Sequence, residues 1–318
     1  MTIAPHPELQ QVLKGLALNR QPGWNFPGNF LEVSFDEVLL DSARLSVTPG
    51  PHCVNADGQV NIGAVSLLAD IGMAVTLRRR VGMPTRMATV SMSLQFTGAP
   101  LAGRLESRGR LDGFFKDAAA TQGMTRCEIY AGDTLVCTAS GSFVALGNRE
   151  GIAALPMRQQ GVDAEAVPLA LNELTQEEAA VYARAERALQ AGADPTRGTR
   201  GPRTFIDNFW GFLPQRVEGK GASCTFENGL HVGNRVGHTQ GGITFGLAAS
   251  TANGALGDGW RLGGISAWYL NPGTGPQLQA DAEIVHQGGL TAVVNTRITD
   301  EKGRIVLEVV SNHVRVAG

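Results

Sequence analysis

Along most of the chain apolar residues alternate with polar ones, and two stretches break that rhythm with apolar runs too long for buried strands. The first, NADGQVNIGAVSLLADIGM at 55–73, passes from a polar, Gly-containing loop into residues 62–77, which are apolar all round and closed by Arg78, Arg79 and Arg80. Such a run predicts a helix buried on every face, with cations at the negative end of its dipole. The second stretch, NRVGHTQGGITFGLAASTA at 234–252, makes the same passage from loop to apolar run. Only the first carries a carboxylate inside it, Asp70.

Residues 30–47 alternate as a strand does, with Phe30, Val33, Phe35, Val38 and Leu40 among β-formers, and further strand-like runs follow at 86–96, 103–111, 118–130 and 134–146. The breaks between them, TGAPLAG, DGFFKD and AGD, are short, which predicts an antiparallel sheet with the long helix as its partner layer. Residues 8–18 predict a short amphipathic helix ahead of the breaker QPGWNFPG, and residues 147–168 have no period and read as a linker. Residues 175–191 predict a connector helix, with Thr175 as cap and Glu178 at the capping-box position.

The unit then begins again. Phe30 matches Phe209, Val38 matches Val217, His52 matches His231, Asn55 matches Asn234 and Gly63 matches Gly242, all at one offset (209 − 30 = 179). A second set of strand-like runs lies at 261–270, 277–286, 291–299 and 304–316. One register held through loop, helix and strand predicts an internal duplication. The expected division is a first unit at 1–150 with its leading helix, a linker with the connector helix at 151–202, and a second unit at 203–318.

Composition narrows the function classes. With 43% hydrophobic and 18% charged residues the chain can bury cores of ordinary size, and a net charge of −2 gives no basic footprint for nucleic acid. The N-terminus MTIAPHPELQQ lacks the pattern of a signal peptide and no apolar run spans a bilayer, so the expectation is a cytoplasmic protein with no membrane partner. Cys53, Cys127, Cys137 and Cys224 form no C-x-x-C pair and read as packing thiols, and six histidines show no metal-ligand spacing. No metal and no phosphate-cradling glycine loop is expected.

A sheet wrapped round one long apolar helix, present twice, resembles the hotdog fold, an α+β architecture of two tandem units here. The loop-helix motif resembles that of the phenylacetate-degradation type of hotdog acyl-CoA thioesterase, written roughly N-x-x-G-x-x-H-G-G before an apolar run ending L-A-D. Asn61-Ile62-Gly63 with Leu68-Ala69-Asp70 matches it in the first copy; Gln240-Gly241-Gly242 with Leu247-Ala248-Ala249 matches it in the second. The resemblance implies hydrolysis of an acyl-CoA to acid and free thiol, with coenzyme A as part of the substrate and no separate cofactor. It also implies further assembly, a homodimer of two-unit chains.

In that family the helix carboxylate of one unit faces the helix-leading loop of the other. Each copy here has lost a different part: copy one keeps Asp70 but has Asn61-Ile62 for His-Gly, and copy two keeps the glycines but has Ala249 for the carboxylate. Crossing the copies predicts one complete site. Asp70 is the base or nucleophile, Thr89 holds the water, the Gly241 N–H is the oxyanion donor, and Asn234 and Gln240 position the thioester carbonyl or the loop. Gly242, Asn55 and Asn61 are the expected substrate-binding residues around these two loops. His52 and His231 read as shared loop structure.

Two other classes compete. A hotdog hydratase or dehydratase on enoyl thioesters wants an acid–base pair, and no His lies within two helical turns of Asp70 in sequence. A non-catalytic acyl-CoA-binding protein is favoured by the departures at Asn61, Ile62 and Ala249. The length or aromaticity of the acyl group is not readable from the chain.

Overall fold

In the computed structural model, which describes residues 6–21, 25–82, 85–115, 119–146, 166–192, 204–219 and 221–316, the duplication appears as one antiparallel sheet carrying two buried helices. The first half has α1 (Pro7–Asn19), α2 (Phe26–Phe30), a hairpin β1 (Ser34–Val38) and β2 (Ser42–Val47), the central helix α3 (Ile62–Val81), then β3 (Arg86–Phe96), β4 (Leu105–Phe114), β5 (Gln122–Ala131) and β6 (Thr134–Leu146). The connector helix α4 (Gln176–Gly192) precedes the second half: α5 (Phe205–Trp210), β7 (Gln215–Val217), β8 (Gly221–Glu227), α6 (Gly241–Leu256), β9 (Trp260–Tyr269), β10 (Gln277–Gln287), β11 (Thr291–Asp300) and β12 (Ile305–Arg315).

The strand order β1-β2-β4-β5-β6-β3-β9-β12-β11-β10-β8-β7 reads the same in both directions once each strand is replaced by its counterpart. The halves join where β3 meets β9, and Ser93 Oγ donates to Ser266 Oγ at 2.8 Å on the line that relates them. Those serines are 173 residues apart, so the offset of 179 read from the sequence holds only as far as the helix starts. Most of the slip arises because α6 has 16 residues against the 20 of α3.

Two expectations need correction. Residues 30–47 are not a single strand. Asn25 caps α2 by accepting from the Gly28 N–H at 3.0 Å and Pro27 sits in its first turn, so Phe30 closes a helix, and the β-formers after it split into a hairpin. The central helix also runs one turn past residue 77, to Val81, before Gly82 breaks it at φ 94°. The expected linker at 147–168 lies outside the described residues except for its last three.

The two central helices lie against each other with unusually close backbones. A Cβ on Gly246 would sit 2.6 Å from the Gly63 Cα, and one on Gly242 would sit 2.6 Å from the Leu67 Cα. These contacts pair the start of each helix with the middle of the other, so the start of α6 meets α3 near Asp70. Beside these contacts, where Trp210 packs on Gly63, α2 and α5 meet: the rings of Phe30 and Phe209, equivalent in the repeat, are 5.1 Å apart in a cluster with Phe26, Phe205 and Trp210. Helix α4 is tied to α1 by Arg20, whose guanidinium donates to both oxygens of Glu178 at 2.9 and 2.7 Å. That ion pair draws the Glu178 carboxyl down to about 2.

Candidate active site

Asp70 sits mid-way along α3, where every neighbouring residue is buried, and is itself 5% exposed. A carboxylate there is costly unless donors meet it. Three do: Thr89 Oγ1 donates to Oδ1 at 2.8 Å, Gln240 Nε2 donates to Oδ2 at 2.8 Å, and the Gly242 N–H adds a backbone hydrogen bond. Burial outweighs these three contacts and raises the Asp70 pKa above the ordinary carboxylate value.

Each donor is aimed by local structure. On β3, Met92 and Leu94 are buried, so strict alternation would turn the odd-numbered Thr89 away from the helix. The register against β6 slips between Thr89 and Ser91, and this bulge reverses the alternation and turns Thr89 toward Asp70. Gln240 is the N-cap of α6. Its Oε1 accepts from the Ile243 N–H at 3.0 Å, which leaves its amide nitrogen to reach across to the other half. One side chain thus caps one copy's helix and holds the other copy's carboxylate.

The first three amides of α6 divide their work accordingly. Ile243 N–H goes to the Gln240 side chain and Gly242 N–H to Asp70, while Gly241 N–H has no acceptor among the described residues. A Cβ on Gly241 would fall 3.1 Å from Thr89 Oγ1 and 3.2 Å from Asp70 Oδ2, so Gly241 abuts the carboxylate. Tyr269 Oη donates to the Gly241 carbonyl at 2.9 Å and fixes that peptide from β9. Asp70, Thr89, Gln240, Gly241, Tyr269 and Asn234 all line one cavity of about 390 Å³.

Asn234 is a loop former at that wall: its Oδ1 accepts from the N–H groups of Val236 and His238 at 2.9 and 3.1 Å. Gly242, expected to bind substrate, is instead occupied by the α3 backbone and by Asp70. Asn55 and Asn61 do not line the cavity. They belong to the other helix start, beside the Ala249 region, where Asn61 Oδ1 caps the Gly63 N–H at 2.9 Å and its Nδ2 donates to Asn55 Oδ1 and Asp207 Oδ1, each at 2.9 Å. The geometry therefore separates the eight residues: Asp70 and four others line one cavity, Gly242 supports the carboxylate from behind, and the two asparagines stand at the far end of the helix pair.

Sequence reasoning missed Tyr269, because a Tyr in a strand reads as an ordinary β-former. It also missed His238, which lines the cavity although it lies 168 positions from Asp70 in the chain (238 − 70 = 168). His52 and His231, by contrast, are core. Each packs edge-on against a ring, Phe30 at 5.2 Å and Phe209 at 6.0 Å, and burial lowers their pKa values to about 4 and about 3.

No family profile and no curated protein matches this sequence. Solved structures do. A protein assigned as a thioesterase from Novosphingobium aromaticivorans is 16% identical, with a TM-score of 0.54 over 90% of this chain and 99% of its own. One assigned as an oleoyl thioesterase from Lactobacillus plantarum is 10% identical, with a TM-score of 0.54 over 88% and 98%. A third, assigned as a thioesterase II from Thermobifida fusca, is 12% identical, with a TM-score of 0.50 over 90% and 96%. At these identities the likeness is one of fold, and the fold is an α+β hotdog fold. No helix among the described residues is long and apolar enough to cross a membrane.

Proposed function

We propose that the chain is an acyl-CoA thioesterase built from two tandem hotdog units, residues 1–150 and 203–318 with a connector at 151–202, and that it has one composite site per chain. The observation that carries this reading is the pairing of a buried, three-fold hydrogen-bonded carboxylate with the unengaged first amide of the facing helix. A helix N-terminus presents N–H donors and positive potential where a thioester carbonyl oxygen gains charge.

On this reading the substrate carbonyl lies against Gly241 N–H. Asp70 takes a proton from water held beside Thr89 as the water oxygen bonds to the carbonyl carbon. The tetrahedral intermediate then expels the thiolate, which takes the proton back, so one water and one thioester give one acid and one thiol. Tyr269 and Gln240 hold the peptide and the carboxylate in register. The raised pKa of Asp70 suits a general base. Release of free thiol from short, medium, long and aryl-acetyl CoA esters tests the reading. Asp70→Asn is expected to lower turnover by about 10²–10⁴, and near wild-type turnover in that variant would overturn it.

One observation favours a second reading, hydration of enoyl thioesters: His238 shares the cavity wall with Asp70 and supplies the imidazole that the sequence did not place there. Hydration of crotonyl-CoA, lost in His238→Gln, would select it. Further assembly into a dimer of chains is part of the proposal and is measured by light scattering in solution.

A further inference from the structure

Three arginines line the same cavity as Asp70, and the hydrolysis above uses none of them. Arg78 comes from the last turn of α3, Arg86 from the start of β3 and Arg235 from the loop before α6. Arg78 is 9% exposed. Its Nη1 donates to the Thr85 carbonyl at 3.1 Å, but its buried Nε has no hydrogen-bond partner among the described residues. A guanidinium stays charged in proteins, so burying one without an anion is unfavourable.

The three also crowd one another. Burial and then the charge of Arg235 hold Arg78 down to about 10, and burial and then Arg86 lower Arg235 in turn. Among the described residues that line the cavity the one acidic side chain is Asp70, which is already engaged by Thr89, Gln240 and Gly242.

The wall between Asp70 and this cluster is apolar: Ile71, Ala74 and Val75 on α3, with Met87, Phe143 and Leu146 on the strands. Asp70 and Arg78 are two helical turns apart, roughly 12 Å. An extended chain advances about 1.2 Å per bond, so about ten bonds span the wall. We propose that Arg78, Arg86 and Arg235 form an anion subsite at the far end of an apolar acyl channel, and that the thioester hydrolysed carries a carboxylate at the distal end of a medium-length acyl chain.

Guanidinium and carboxylate pair through two parallel hydrogen bonds, and a partner that leaves buried donors unmet is rejected. A plain alkyl chain fills the channel but leaves the buried Nε of Arg78 unmet. The phosphates of coenzyme A would reach the cluster through this channel only by laying the polar pantetheine arm along apolar wall.

The inference rests on the thioesterase reading for which part of the ligand lies in the channel, so its test uses binding rather than turnover. Calorimetry on Asp70→Asn compares sebacyl-CoA, decanoyl-CoA and coenzyme A, then repeats the comparison with Arg86→Gln, Arg235→Gln or Arg86→Lys added. Arg86 and Arg235 are part-exposed, and their variants are checked for an unchanged melting temperature. Sebacyl-CoA is expected to bind at least about tenfold tighter than decanoyl-CoA; each Gln variant removes about that preference and Lys restores part of it, with coenzyme A unaffected. A loss shared by both thioesters and coenzyme A assigns the arginines to the phosphates and overturns the proposal, as does equal binding of the two thioesters in every variant. Failure of the thioesterase reading shows separately, as thiol release that does not depend on Asp70.

Discussion

At the scale of single residues, Asp70 is held in a state that costs the fold stability. Its folded pKa lies above the unfolded value, so it ionises later in the fold than in the open chain. As pH rises from the ordinary carboxylate range through that raised value, the group weighs against the folded state. Asp70→Asn can accept from Gln240 and donate to the Thr89 hydroxyl, so it is expected to melt no lower than wild type at pH 7 while losing activity. The same shift gives kcat/KM a fall as pH drops, with its midpoint above the ~3.9 of a free Asp. Thermal melts and a pH–rate profile check both halves of this prediction.

The glycines divide by what a methyl group would strike. At Gly246 it meets the Gly63 backbone, which cannot give way, so Gly246→Ala is expected to cost about 1–3 kcal/mol of stability. At Gly241 it meets only the ends of Thr89 and Asp70. Gly241→Ala should therefore fold normally and lose thiol release, because the methyl stands beside the carboxylate. Denaturant melts set against activity separate the two.

Elements differ in how well the sequence announces them. The central helices were legible, since an apolar run of that length between polar loops has few other solutions, and so were the meanders, whose breaks are rich in Gly and Asp. Helix α5 was not: FIDNFW is as strand-like as it is helical, and it is fixed by Thr204 and Asp207, whose side chains meet at 2.7 Å in a capping box. The bulge in β3 left no compositional mark, though it alone makes Thr89 a partner of Asp70. The pairing of Asp70 with Gln240 was readable only through the repeat register, and that register failed past the helix because a shorter α6 shifts every later strand. The arginine cluster was hidden because its members come from three segments that only the closed fold brings together.

Across the whole molecule the buried histidines link the two halves to pH. His52 and His231 stay neutral in the fold at about 4 and about 3, against 6.5 in the open chain. The stability this represents is complete above pH 6.5 and is lost as pH falls toward those lower values, because the unfolded chain gains protons that the folded one refuses. The melting temperature should fall between pH 6.5 and 4, with unfolding taking up about two protons, and His52→Leu or His231→Leu should flatten that slope.

Asn61 also sets a direction for change in this molecule. Its side chain caps α3, joins Asn55 and ties Asp207, so the helix start opposite Ala249 is already spoken for. Ala249→Asp would put a carboxylate at a fully buried position without the reaching amide that Gln240 gives Asp70. Introduced with Asp70→Asn, it is expected to lower the melting temperature and restore no thiol release. A pair of identical chains must keep every part in duplicate, whereas one continuous chain lets each copy specialise. Here the two halves are not interchangeable, and no single substitution makes their helix starts alike.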